Sequence, residues 1–180
     1  MTVQDDFLRE TVELAASVIE GFKIEVVGDR IIMTPQSSVQ CWTIRRVVNA
    51  VEACGITEER ILSDVMIQFP GEPPRCPDVA ITEDGADNPY TYDDLLAAIE
   101  IVSSKHDRND YAIKVHQYAR FGVPAYLIID PFSGQCSLLT EPANDLYTSC
   151  EEYKYGDTIS FRLRDGSSIE IPTHTFKRRI

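Results

Sequence analysis

Asp78 follows a proline at the start of an extended run, and Glu100 sits inside a second run, Leu95 to Val102, that is otherwise wholly apolar. A carboxylate in a buried strand is costly unless it is paired or holds a metal. Two carboxylates on adjacent strands suit a hard divalent cation such as Mg²⁺, with waters and substrate phosphate oxygens completing the octahedron. Such an ion polarises a phosphodiester and lets a bound water attack at neutral pH. Lys114 is the third element. It borders an apolar helical face of Tyr111, Ala112, Val115, Tyr118 and Ala119, so its stem can lie along the core while the ammonium reaches the sheet. Asp110, Lys114 and Tyr118 are spaced i, i+4, i+8, which also allows a plain surface ion pair between Asp110 and Lys114. Taken alone, Pro77-Asp78 is equally a common turn dipeptide.

These residues need a frame. The run Leu95 to Val102 and a second one from Ala125 to Ile129 read as strands buried on both faces, joined by a helix from about Asp107 to Phe121. That order predicts two parallel strands and a crossover. Upstream, residues 4–20 carry a helical pattern ended by Gly21, and two β-branched runs flank Gly28-Asp29 as a tight hairpin closed by Pro35. Residues 37–53 predict a helix whose apolar face is Val39, Trp42, Ile44, Val47, Val48 and Val51. A strand over 61–69, a turn-rich loop (Pro70 to Arg75) and an extended run (Cys76 to Thr82) follow, then an acidic exposed loop over 83–94. Downstream of Pro131 come short antiparallel strands with turns at Ser133-Gly134 and Asp165-Gly166. The expectation is one α/β domain over 1–180, a mixed β-sheet flanked by helices with extra antiparallel strands toward the C-terminus.

The chain has 180 residues, with 29 acidic against 17 basic side chains and a net charge of −12. That balance opposes a nucleic-acid grip, which is ordinarily cationic. The basic residues do form two local clusters, Arg45-Arg46 and Lys177-Arg178-Arg179. Five scattered cysteines without a C-x-x-C pair argue against a zinc knuckle or a disulfide framework and point to a reducing cytoplasm. The acidic N-terminus lacks signal-peptide character, and no apolar run is long enough to span a membrane. His106 and His116 read as solvated and His174 lies in the tail; no histidine pairs with a serine or cysteine as in a nucleophilic triad, and no glycine-rich phosphate loop is present.

In order, the chain offers Thr34-Pro35, Pro77-Asp78, Glu100-Ile101-Val102-Ser103, then Asp110, Lys114 and Tyr118. It continues with Gly122-Val123 through Tyr126 to Asp130-Pro131. Over roughly residues 20–140 this resembles the Uma-type family of restriction endonucleases within the PD-(D/E)xK nuclease superfamily. The resemblance implies a restriction-endonuclease-like fold in which Asp78 and Glu100 hold Mg²⁺, helped by the Ile101 backbone carbonyl, with Mn²⁺ as a substitute. Val102 stands where the wider superfamily has its lysine, and Lys114 matches the position in the next helix to which the Uma-type lysine has moved. Its implied role is to orient the attacking water and stabilise charge on the phosphorane. Glu25 matches a family acidic position and is a candidate accessory ligand; read from its strand alone it is an exposed residue. Gln40 stands where many relatives have a histidine, a departure that falls outside the Asp78, Glu100 and Lys114 set. The function so implied is a Mg²⁺-dependent endonuclease acting on DNA in the cytoplasm, with a homodimer supplying the two sites that a double-strand cut needs. Two rivals stand beside it: a catalytically inactive nuclease-fold binding module, and a hydrolase of a small phosphorylated substrate. The leading reading requires the carboxylates to converge with the Lys114 ammonium.

Overall fold

The computed structural model describes residues 11, 22–27, 30–35, 37–105 and 109–179. Of the N-terminal helix expected over 4–20, only Thr11 is described, and it is helical. Gly28-Asp29, His106 and Asp107 lie outside the described residues.

The strands in chain order are β1 (Phe22–Val27), β2 (Arg30–Pro35), β3 (Ile61–Leu62), β4 (Ile67–Phe69), β5 (Glu72–Arg75), β6 (Val79–Thr82) and β7 (Leu95–Ile101). They continue with β8 (Ala125–Asp130), β9 (Gln135–Ala143), β10 (Leu146–Lys154), β11 (Thr158–Arg162) and β12 (Ser168–Pro172). Helix α1 spans Ser38–Ala53 and α2 spans Lys114–Arg120. Six strands form the central sheet in the order β10-β9-β8-β7-β6-β3. Its β7–β8 pair is parallel, with Glu100 opposite Ile128, and its other pairs are antiparallel. This is the mixed α/β sheet expected, and β1–β2, β4–β5 and β11–β12 form separate two-stranded ribbons.

β7 is buried on both faces, which is why its sequence reads as a continuous apolar run rather than an alternation. Ala97, Ile99 and Ile101 face one core with Val47 and Val51 of α1, while Ala98 and Val102 face the other with Tyr118 and Tyr126. The two-residue alternation that puts Ala98, Glu100 and Val102 on one face therefore turns Glu100 toward α2. No helix among the described residues is long and apolar enough to cross a membrane.

Three expectations are corrected. The strand over 61–69 is broken at Ser63-Asp64, where Asp64 has φ 55°, and the stretch read as a loop, Pro70 to Arg75, contains β5, paired with β4. Pro73 and Pro74 are tolerated because β4–β5 is a two-stranded ribbon whose edge needs no N–H donors. Trp42 was placed on the apolar face of α1 but is 44% exposed. The buried stripe is Gln40, Thr43, Val47 and Val51, whose first two members are polar and so escape an apolar-periodicity reading. The β9–β10 connection is a two-residue turn at Asn144-Asp145, both at positive φ, the backbone that a tight hairpin favours and that these two residue types tolerate.

Candidate active site

Asp78 immediately precedes β6, and Val79 pairs with Ile99, so Asp78 comes beside Glu100 at the C-terminal end of β7. Its Oδ2 accepts the Ile101 N–H at 2.7 Å. The neighbouring backbone thus ties one carboxylate to the residue next to the other. Ser63 fixes the strand entry by donating its hydroxyl to the Asp78 carbonyl at 2.7 Å.

Lys114 approaches from the opposite wall. Its Nζ lies 2.8 Å from Glu100 Oε1 and 2.8 Å from Asp110 Oδ1, and all three side chains are almost wholly buried. The Asp110–Lys114 pair forms as the i, i+4 spacing allows, but inside the protein rather than on its surface. The expected apolar face of this helix is corrected too: Tyr111 is 44% exposed and Ala112 is exposed, while Asp110, Lys114 and Gln117 point inward. The cause is a π-helical turn over Asn109–Ile113, just before α2. Its wider turn shifts the angular position of every residue before Lys114, so a 3.6-residue period cannot carry through.

Two tyrosines close the cluster. The Tyr118 hydroxyl donates to Glu100 Oε1 at 3.5 Å, and Tyr126 donates to the Asp110 carbonyl at 3.1 Å. Their rings pack at 4.9 Å. Burial pushes the Tyr126 phenol well above its usual range, and the negative charges of Asp110 and Glu100 add to this while Lys114 opposes it. Tyr126 therefore stays a proton donor throughout the working pH range. Arg75 is also buried in this layer and gives its Nε to Gln117 Oε1 at 2.6 Å. Buried carboxylates (Asp78, Glu100, Asp110) thus outnumber buried cations (Arg75, Lys114) by three to two among the described residues.

Gln40, in the first turn of α1, is the residue that sequence reasoning left outside the set. Its Nε2 lies 3.3 Å and 3.4 Å from the two Asp78 carboxylate oxygens. A carboxylate accepts and cannot donate, so this contact fixes which way the amide points. The other amide atom, Oε1, is buried with no hydrogen-bond partner. The available signal was the polar Gln40-Thr43 start of an otherwise apolar helical stripe. Glu25 lies in β1 opposite Ile32, and its side chain lies outside the described part of the structure. Among the described residues no three His, Cys, Asp or Glu side chains gather into a metal-holding group, so any hard cation here would take neutral oxygens beside the two carboxylates.

The sequence matches the Uma2 family, described as "Putative restriction endonuclease", over residues 10–170. The chain belongs to the Uma2 family. Its matched span contains Asp78, Glu100, Asp110 and Lys114 and stops before the basic tail at Lys177. Among solved structures, the fold is similar to a putative nuclease of the DUF820 group from Anabaena variabilis, with a TM-score of 0.55, 14% identity and 88% of each chain covered. At that identity the likeness establishes the shared fold. No curated protein matches the chain. Family and fold together make this Uma2 chain a restriction-endonuclease-like protein of nuclease type.

Proposed function

We propose that this Uma2 protein is a metal-dependent endonuclease that hydrolyses phosphodiester bonds in DNA. The observation that carries the reading is the tie from Asp78 through the Ile101 N–H to the Glu100–Lys114 pair, with the orphaned Gln40 Oε1 on its rim. An unpartnered buried carbonyl oxygen costs about 1–3 kcal/mol, and an oxygen-seeking cation removes that cost. The three buried carboxylates set against two buried cations among the described residues point the same way. Asp78, Glu100, the Ile101 carbonyl and Gln40 Oε1 would hold Mg²⁺ or Mn²⁺, with Glu25 as the accessory candidate. When bound, that ion supplies positive charge against the phosphate and acidifies a water.

The chain's own groups do the positioning. The Ile101 N–H and the Gln40 amide fix the Asp78 carboxylate, and Asp110 holds the Lys114 ammonium against Glu100. Lys114 can then donate to the attacking water and to the charge developing on the phosphoryl oxygens. One copy nicks; cutting both strands at once needs two.

Incubation with supercoiled plasmid tests the reading. Nicked circles should accumulate with Mg²⁺ or Mn²⁺ and not with EDTA. Absence of cutting under every divalent condition would overturn it. Turnover of a small phosphomonoester with intact plasmid would transfer the site to the small-substrate class. A second reading, the inactive binding module, is favoured by the burial of Asp78, Glu100 and Lys114, which leaves them closed to solvent. DNA binding without cutting would establish that reading instead.

Gln40→Leu provides a finer check. Removing the amide is expected to weaken Mn²⁺ binding about 10–100-fold, as loss of a supporting polar partner typically does. The shift would be read from the Mn²⁺ dependence of the unfolding temperature, and an unchanged dependence would remove Gln40 from the set.

A further inference from the structure

The net charge of −12 leaves open how such a protein would grip a polyanion, and the C-terminal tail offers an answer. Phe176 is buried beside Tyr155, with ring centroids 5.5 Å apart, and the Arg179 N–H bonds to the Pro131 carbonyl at 2.8 Å. The segment between them is thus pinned at both ends. Lys177 Nζ sits 4.5 Å from the ring centroid of Trp42, two residues beyond Gln40 on α1. Arg179 donates to the Ser103 carbonyl at 2.6 Å, just past the end of β7, and stacks at 5.2 Å over Phe132. Lys105 Nζ also lies over the Phe132 ring, 5.9 Å from its centroid. The tail therefore runs from the start of α1 to the C-terminal ends of β7 and β8, the end of the sheet that holds Asp78 and Glu100.

We propose that Lys177, Arg178 and Lys105, with Arg45 on the Trp42 side of α1, form the strip that grips the phosphate backbone of DNA at the end of the sheet that holds this site. The assignment rests on the nuclease reading above. All four side chains are exposed. Asp130, at the end of β8, is spent on internal bonds: Oδ1 accepts the Phe132 and Ser133 N–H groups, and Oδ2 accepts the Ser133 and Tyr111 hydroxyls. Exposed acids Glu141, Asp145, Glu151 and Glu152 lie on the β9–β10 hairpin, and none of them forms an ion pair with the four strip cations among the described residues. Aromatic rings lie beneath Lys177 and Lys105, and Arg178 is held at the β8–β9 turn by its hydrogen bond to the Ser133 carbonyl. Lys177 and Arg178 lie beyond the family match over residues 10–170, and Arg45 and Lys105 lie within it.

The test is fluorescence anisotropy with a labelled DNA duplex in Ca²⁺, with the duplex checked on a gel to be intact, over a KCl series. Each phosphate contact contributes about 0.9 to the slope of log K against log [salt], so Lys177→Ala/Arg178→Ala should flatten the slope by about 2. Affinity at low salt should fall at least about tenfold, the effect of losing two contacts of this kind. Arg164→Ala, whose guanidinium pairs with Glu83 at 2.7 Å away from the strip, should change neither. An unchanged slope and affinity in the double variant would overturn the strip, while plasmid nicking by the same variant would leave the nuclease reading standing. A wild-type chain that fails to bind duplex overturns it as well, and parallel nicking then tells whether the nuclease reading falls too. Unfolding temperatures of both variants should stay at the wild-type value, since the replaced side chains are exposed.

Discussion

Lys114→Ala is expected to cost about 3–5 kcal/mol of folding free energy, the range for removing one partner of a buried ion pair. The ammonium lies 2.8 Å from both Glu100 and Asp110 in a region almost closed to water. Deleting it takes the ammonium from two buried carboxylates at once, which is worse than removing a lone surface partner. In a chain of 180 residues that loss corresponds to roughly 6–20 °C in unfolding temperature. A second variant separates charge from packing. Adding Asp110→Asn to Lys114→Met should recover most of the loss, because one carboxylate disappears and methionine refills the stem's space. Urea unfolding in EDTA checks both. A single-variant loss under about 1 kcal/mol, the surface-pair magnitude, would mean that the triad is not closed as described.

How far the site was legible follows from the same residues. Glu100 announced itself because a carboxylate in a run such as Leu95 to Val102 has no cheap structural excuse, and the parallel β7–β8 pair was implied by two apolar runs flanking a helix. The inward face of α2 was not legible. A π-helical turn leaves no mark in a 3.6-residue periodicity, which puts Tyr111 on the core face and leaves Asp110 open to a surface pair, whereas Tyr111 is 44% exposed and Asp110 is buried. Gln40 was hidden for a different reason. A polar residue at the start of an amphipathic helix is ordinarily solvated, and only the three-dimensional approach of α1 to the start of β6 gives it Asp78 as a partner. Trp42 is the converse: an aromatic residue that burial statistics place inside is held outside beneath Lys177. Periodicity reports the average face of a helix, and functional positions are where the average fails.

Asp78→Asn should separate stability from activity where Lys114→Ala removes both. Asparagine keeps the size of the side chain and an oxygen able to accept the Ile101 N–H, so the local hydrogen bond survives. The substitution also removes one of three buried carboxylates set against two cations. Stability in EDTA should therefore stay within about 1 kcal/mol of wild type, since a hydrogen bond is kept while a buried charge is relieved. Cutting should fall at least about 100-fold, because the polarising ion is worth several kcal/mol at the transition state and loses a charged ligand. Thermal stabilisation by Mn²⁺ should shrink in parallel, as linkage requires of any ion that binds the native state less tightly. The two readouts guard each other. Cutting within about tenfold of wild type would remove Asp78 from the chemistry, since a tenfold change is only about 1.4 kcal/mol. Mn²⁺ stabilisation that persists in full would move the ion elsewhere, and the Ile101 N–H would then be holding Asp78 for a structural purpose alone.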